Sequence, residues 1–278
     1  MNSTRTGSTR FTPDAVPAPG LSASRIPIPA PTDPTASARA QHPSNHPIPP
    51  ILSARALTKT YGSTTALSGL TLDIRAGESV AIMGTSGSGK TTLLHCLAGI
   101  VQPDSGQVTL STATDSTQVS SLNESARSRL RRESFGFVFQ QGLLIPELTA
   151  LENVAIALML NGMARTTAEQ ASAGWLQSLG LAGMEQRRIG ELSGGQAQRV
   201  AIARAQVTGA GVIFADEPTG ALDSATSAEV MQVLLDSTTG AGETLVVVTH
   251  DDAVASRCAR VVSLQDGRLV GDSAGGAR

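Results

Sequence analysis

An α/β fold, with a mainly parallel sheet covered on both faces by helices, is predicted for this 278-residue chain by three observations. Short apolar runs rich in Val, Ile and Leu alternate with segments of helical period, and that alternation implies crossover connections and parallel pairing. Two of the runs, Glu78–Met83 and Val212–Ala215, end directly in chemistry: a glycine-rich turn after the first and two carboxylates after the second. Between them, residues 151–181 keep a helical period without a strand, which marks an inserted helical region.

Residues 1–50 differ from the rest. They hold most of the 14 prolines, much Ser, Thr and Ala, and only Asp14 and Asp33 against Arg5, Arg10, Arg25 and Arg39. So little apolar surface does not offset the entropy of ordering, and disorder is expected. No apolar stretch of about 7–15 residues suits a secretory signal, and a misassigned start codon would leave the same kind of leader. From Ile51 the texture changes. Ile51–Thr58, Leu67–Arg75 and Glu78–Met83 read as strands, with turns at Tyr61-Gly62 and Ala76-Gly77. Thr91–Ala98 reads as a helix, Pro103–Gly106 as a turn, Gln107–Leu110 as a strand and the Ser/Thr-rich Ser111–Leu122 as a surface loop. Glu124–Arg132 is expected to be helical, and Phe135–Phe139 a strand with three rings on one face. Strands return at Val212–Ala215, Leu245–Thr249 and Val261–Leu264, with helices between them.

Composition narrows the function. A net charge of −2 and 3% aromatic residues offer neither a basic field nor many stacking platforms for nucleic acid. Cys96 and Cys258 lie far apart in apolar segments and read as buried free thiols, not as a disulfide or a zinc site. The longest apolar stretches, Val154–Leu160 and Leu245–Val248, fall far short of the roughly 20 residues that span a bilayer. The chain is therefore expected to be soluble on its own.

The glycine-rich turn is the strongest motif. Gly84-Thr85-Ser86-Gly87-Ser88-Gly89-Lys90-Thr91-Thr92 follows a strand and opens a helix, a context in which backbone N–H groups converge on phosphate oxygens. Lys90 would reach the β- and γ-phosphates of a nucleotide, and the Thr91 hydroxyl would ligate Mg²⁺. Lysine occurs only at 59 and 90, so a lysine here is not background. The second element is Asp216-Glu217, at the strand end where a parallel sheet presents its ligand site. Asp216 suits Mg²⁺, which prefers oxygen ligands and keeps several waters. Glu217, one residue on, can polarise an attacking water. Alone, the acidic pair reads equally well as a helix cap. Together with the lysine loop, it reads as catalytic.

Leu192-Ser193-Gly194-Gly195-Gln196, continued by Ala197–Ala205, narrows the class. This segment resembles the signature of the ATP-binding-cassette (ABC) ATPases, and four further elements match in family order. Ser193-Gly194-Gly195 opens a helix whose free N–H groups form a second anion site. In the family that site closes on the γ-phosphate held by the opposite subunit, so the resemblance implies a homodimer enclosing two ATP molecules. Tyr61 resembles the aromatic that stacks on adenine. Gln140 resembles the glutamine that senses Mg²⁺ and water and passes movement to a membrane partner. Ala221-Leu222-Asp223 resembles the loop that couples the two sites, and His250 the switch histidine that contacts the γ-phosphate. His95 reads as structural.

The resemblance covers residues 51–270. It implies a P-loop NTPase core with a mainly parallel sheet, an antiparallel β subdomain and an α-helical subdomain inserted at about 141–208, followed by a flexible tail at 271–278. Gly136–Gln140, Leu144–Thr149 with Glu152-Asn153-Val154, and Ala215–Asp223 are similar to one branch, that of lipoprotein-release (LolD), macrolide-export (MacB) and cell-division (FtsE) ATPases. This likeness implies an ATPase with ATP and Mg²⁺ as cofactors, energising an integral-membrane permease in another chain from the inner, cytoplasmic face of the cell membrane. Its work would be export or periplasm-directed; regulation of a division or cell-wall complex is the alternative. Two departures stand out: Gly190, where relatives often place a proline, and the unusual approach Gln206–Gly211 to the acidic strand. Arg127, Arg129, Arg131 and Arg132 read as a solvated helix face or as a partner surface.

Overall fold

The computed structural model describes residues 50–274; residues 1–49 and 275–278, and with them the disorder expected of the leader, lie outside the described residues. The chain runs β1 (Pro50–Tyr61), β2 (Thr64–Arg75), β3 (Ser79–Met83), α1 (Lys90–Leu97), β4 (Ser105–Ser111), β5 (Ser116–Gln118), α2 (Glu124–Ser134) and β6 (Phe135–Phe139). It continues through α3 (Ala150–Met159), α4 (Arg165–Ser178), α5 (Gly194–Gln206), β7 (Val212–Asp216), α6 (Ser224–Ser237), β8 (Thr244–Thr249), α7 (Asp252–Ala255), β9 (Arg260–Gln265) and β10 (Arg268–Asp272).

Six strands form the central sheet in the order β10-β9-β3-β8-β7-β6, and every pair in it is parallel except β10 on β9. The alternation of side chains assigns its two faces. Val80, Ile82, Val212, Phe214, Val246 and Val248 enter one core with α1 and the antiparallel sheet β2-β1-β4-β5, while Ala81, Ile213, Ala215, Leu245 and Val247 enter another with α3, α4, α5 and α6. Because both faces are covered, β3, β7 and β8 are apolar almost throughout and not alternating. The expected α/β class, with its antiparallel and helical additions, is therefore found.

On β6 the three rings do share a face. Phe135 meets Phe214 edge-on at 5.3 Å, and Phe137 stacks between Phe139 at 6.0 Å and Phe214 at 5.7 Å. Gly136, on the opposite face, is what lets α5 approach. A Cβ there would strike Ala205 O and lie 2.5 Å from Ile213 Cδ1.

The helical region resolves into α3 and α4. Thr149 starts α3 with a reciprocal cap, its hydroxyl accepting from Glu152 N–H at 3.2 Å while Glu152 Oε2 accepts from Thr149 N–H at 3.0 Å. Asn153, fully buried, donates to Ile145 O, Leu148 O and Thr149 O and accepts from Ile145 N–H, which ties the preceding loop to the helix. Cys96 and Cys258 are free and buried.

Two expectations are corrected. Ser111–Leu122 is not simply a surface loop: β5 pairs with β4 through Thr109↔Gln118, and the turn after it buries Val119 completely. The tail does not begin at 271, because Gly271 and Asp272 complete β10 and Asp272 Oδ2 meets Arg260 Nη2 at 2.7 Å.

Candidate nucleotide-binding and hydrolysis site

Between β3 and α1 the backbone passes through Gly84, Gly87 and Gly89 at φ 155°, 81° and 102°. At Gly89 the left-handed conformation coincides with close approach, since a Cβ there would strike Ala66 O. Gly89 is also the N-cap of α1, and no side chain caps that helix, whereas Asn123, Thr149, Ser193 and Asp223 cap α2, α3, α5 and α6. The first-turn N–H groups of α1 and its positive dipole end are thus open to an anion, with no carboxylate in the first turn to compete. Lys90 Nζ donates to Gly84 O at 2.8 Å and to Thr85 O at 3.0 Å, so the ammonium folds back over the loop. Ser88, buried within the loop, has a hydroxyl without a partner.

This loop forms one wall of a cleft of about 950 Å³, lined by Gly84–Gly87, Gly89–Thr92, Ala66 and Met83, with Glu217 and His250 opposite. Glu217 N–H continues the sheet ladder by donating to Val248 O at 2.9 Å, and the residue then turns left-handed at φ 47°. Such a conformation in a non-glycine residue stores about 1–3 kcal/mol and persists only where the surroundings hold it. Here both carboxylate oxygens are held: Oε1 lies 2.7 Å from His250 Nδ1, and Oε2 accepts from Thr249 Oγ1 at 3.2 Å. The hydrogen bond to Glu217 pulls the His250 imidazole above its usual pKa.

Asp216, half-buried at the end of β7, has its carboxyl pushed up by burial, against a downward pull from His95, the Thr91 hydroxyl and Lys90. Thr91 and Asp216 supply the oxygen donors that Mg²⁺ prefers. That ion takes one or two carboxylates together with waters and phosphate oxygens, so this pair fits it. Burial pulls the His95 imidazole below its usual pKa, against an upward pull from Asp216.

Not every residue singled out in the sequence reaches this cleft. Tyr61, Ser88, Gln140, Ser193–Gln196, Asp216 and Asp223 lie outside its lining, Ser88 buried within the loop and Asp216 at the end of β7. Gln140 follows Phe139, the register partner of Asp216, and its exposed side chain lies against Gly220, where a Cβ would sit 2.9 Å from Gln140 Nε2. Ser193 and Gln196 cap each other, Ser193 Oγ accepting from Gln196 N–H at 3.2 Å and Gln196 Oε1 from Ser193 N–H at 2.9 Å. Asp223 caps α6 by accepting from Ala225 and Thr226, and those hydrogen bonds hold its carboxyl below its usual pKa. The two capped ends adjoin, since a Cβ on Gly195 would lie 2.5 Å from Thr226 Cγ2. One contributor was missed in the sequence: Thr249, whose hydroxyl donates to Glu217 Oε2 and which carries no motif of its own.

A parallel sheet, a glycine loop feeding an uncapped helix and an acidic strand end define the class of P-loop nucleotide hydrolases. Within that class, the family model described as ABC transporter matches residues 67–220, and the chain belongs to that family as an ATPase cassette. The macrolide export ATP-binding/permease protein MacB of Nitrosomonas europaea is 46% identical over 231 residues, covering 81% of this chain and 34% of the relative. The chain thus spans about a third of the length of such relatives. The lipoprotein-releasing system ATP-binding protein LolD of Pseudomonas fluorescens is 44% identical over 224 residues, covering 79% of this chain and 97% of that protein. Among solved structures, a dimeric ATP-binding cassette in a post-hydrolysis state with ADP and Pi superposes with a TM-score of 0.71 at 38% identity, covering 80% of this chain and 97% of that one. Among the described residues no helix is long and apolar enough to cross a membrane.

Proposed function

We propose that the chain is the ATP-binding and ATP-hydrolysing subunit of an ABC transporter, energising a permease carried on a separate membrane chain. The observation that carries this reading is the meeting, across one cleft, of the uncapped N-terminus of α1 with the Glu217–His250 pair at 2.7 Å. In this reading Gly84–Gly89, Lys90 and the first-turn N–H groups through Thr92 hold the β- and γ-phosphates, and Tyr61 stacks on adenine. Glu217 accepts the proton of the attacking water, Thr249 and His250 keep its carboxylate in place, and His250 also contacts the γ-phosphate. Thr91 and Asp216 would hold Mg²⁺, with Gln140 near them, and that ion supplies positive charge against the charge on the phosphates.

The dimeric cassette among the solved neighbours supports a paired arrangement, in which Ser193–Gln196 and Asp223, outside this chain's own cleft, would serve the cleft of a second copy and two chains would enclose two ATP molecules. The match to a protein named as the ATP-binding protein of a lipoprotein-releasing system supports a cassette that serves as one component of a larger system; in this reading that system's permease is a separate membrane chain, and the cassette works at the inner, cytoplasmic face of the membrane. Relatives named for macrolide export, pyoverdine export and lipoprotein release support outward or periplasm-directed work. The test is phosphate release by the purified full chain with MgATP, followed by co-purification from membranes to identify the permease. No phosphate release at saturating MgATP would overturn the reading.

A further inference from the structure

The last regular pair between β1 and β4 is Thr58↔Ser105, because Pro103 turns the chain away just before β4 begins. Thr60 N–H therefore lacks a ladder acceptor on that side, one residue before Tyr61. Asp104 replaces the missing ladder. Its N–H donates to Thr58 O at 2.9 Å, its Oδ2 accepts from Thr60 N–H at 2.7 Å, and its Oδ1 accepts from Lys59 Nζ at 2.7 Å. One carboxylate thus grips both residues that precede Tyr61. The grip extends to the ring: Lys59 Nζ, on a side chain only 16% exposed, stands over Tyr61 at 5.4 Å from the ring centroid. Tyr61 itself is 50% exposed, which leaves ring surface open to a planar base while the ammonium stands over the ring.

We propose that Asp104, acting through Lys59 and Thr60, is a positioning residue that orients Tyr61 for stacking on the base of the nucleotide. An exposed ion pair alone contributes little to stability. Here, however, the same carboxylate also satisfies a backbone donor and fixes the cation over the ring, so its effect falls on the ordering of one aromatic side chain. Pre-ordering such a side chain is worth about three- to tenfold in affinity. The proposal rests on the reading of Tyr61 as the adenine platform.

The test compares binding of ATP and of inorganic tripolyphosphate, both with Mg²⁺, to the full chain by calorimetry. Tyr61→Ala should weaken ATP and leave tripolyphosphate unchanged, which establishes the platform. Asp104→Ala should then weaken ATP about three- to tenfold without affecting tripolyphosphate, and add nothing in the Tyr61→Ala background. In turnover it should raise KM and leave kcat unchanged. Asp104→Asn, which keeps an acceptor for Thr60 N–H, should recover part of the loss, and Lys59→Met should reproduce part of it. If Tyr61→Ala is base-selective but Asp104→Ala weakens both ligands equally or neither, the positioning role is wrong and the platform stands. If Tyr61→Ala shows no base selectivity, the platform reading fails and the proposal falls with it.

Discussion

Glu217 and His250, 33 residues apart in sequence, meet at 2.7 Å between Oε1 and Nδ1. Their meeting is a consequence of strand order. β7 and β8 are parallel neighbours with Asp216 opposite Val248, so the residues beyond each strand emerge side by side at the sheet's C-terminal edge. The left-handed turn at Glu217 then brings its carboxylate onto Thr249 and His250 and into the cleft that begins at Gly84.

Glu217→Gln separates binding from chemistry. The amide keeps the shape of the side chain but loses the carboxylate that accepts the water proton, so ATP binding should survive while turnover falls by about two orders of magnitude or more. With ATP no longer consumed, the variant should form an ATP-dependent dimer on size exclusion, and adding Ser193→Arg should abolish that dimer. A Glu217→Gln protein that stays monomeric at saturating ATP and hydrolyses at the wild-type rate contradicts the paired-cassette mechanism.

Lys90→Ala removes the ammonium that bonds Gly84 O and Thr85 O and that faces the phosphates in the proposed complex. ATP affinity should drop by about tenfold to a hundredfold or beyond, the worth of a charge-assisted contact. Circular dichroism and the melting midpoint should stay near those of the parent, because Lys90 contributes nothing to either core. Unchanged ATP affinity in a folded Lys90→Ala protein would rule out the phosphate cradle.

Glu243 predicts a pH dependence of stability. Its Oε2 is buried without a partner, and burial pushes the carboxyl from 4.5 to about 7. The folded state therefore binds more protons than the unfolded state between those values, and stability falls as pH rises through that window. Glu243→Gln should raise stability by about 1 kcal/mol at pH 8, a figure discounted for the solvent that still reaches the group, and by almost nothing at pH 4.5. Urea titrations of both proteins at the two pH values check this. An equal difference at both would show that the carboxyl does not titrate as its burial requires.

Gly136→Ala tests the packing of α5 on β6. The added methyl meets Ala205 O and Ile213 Cδ1, so the helix must shift outward, at a cost of about 1–3 kcal/mol. Denaturant unfolding should show the loss as a lower midpoint with an unchanged slope. An unaltered midpoint would mean that α5 yields without cost.

The α/β class, the order of most elements, the candidate loop and the acidic pair were legible in the order of the amino acids. Each of these is written in neighbouring residues: a glycine where the backbone turns left-handed, a run of β-branched residues, a helical period, a hydroxyl three residues before its capping partner. The rest came from packing. β5 is the polar triplet Ser116–Gln118, which is a strand solely because β4 offers it a ladder, and β10 is held by its pairing with β9 and the reach of Arg260 to Asp272. The same holds at the site. Thr249 became a partner of Glu217 through a distance that exists only once β7 and β8 are packed together. Periodicity and turn chemistry act between residues a few positions apart, whereas a hydrogen bond across 32 residues is specified by strand order, which no local pattern encodes.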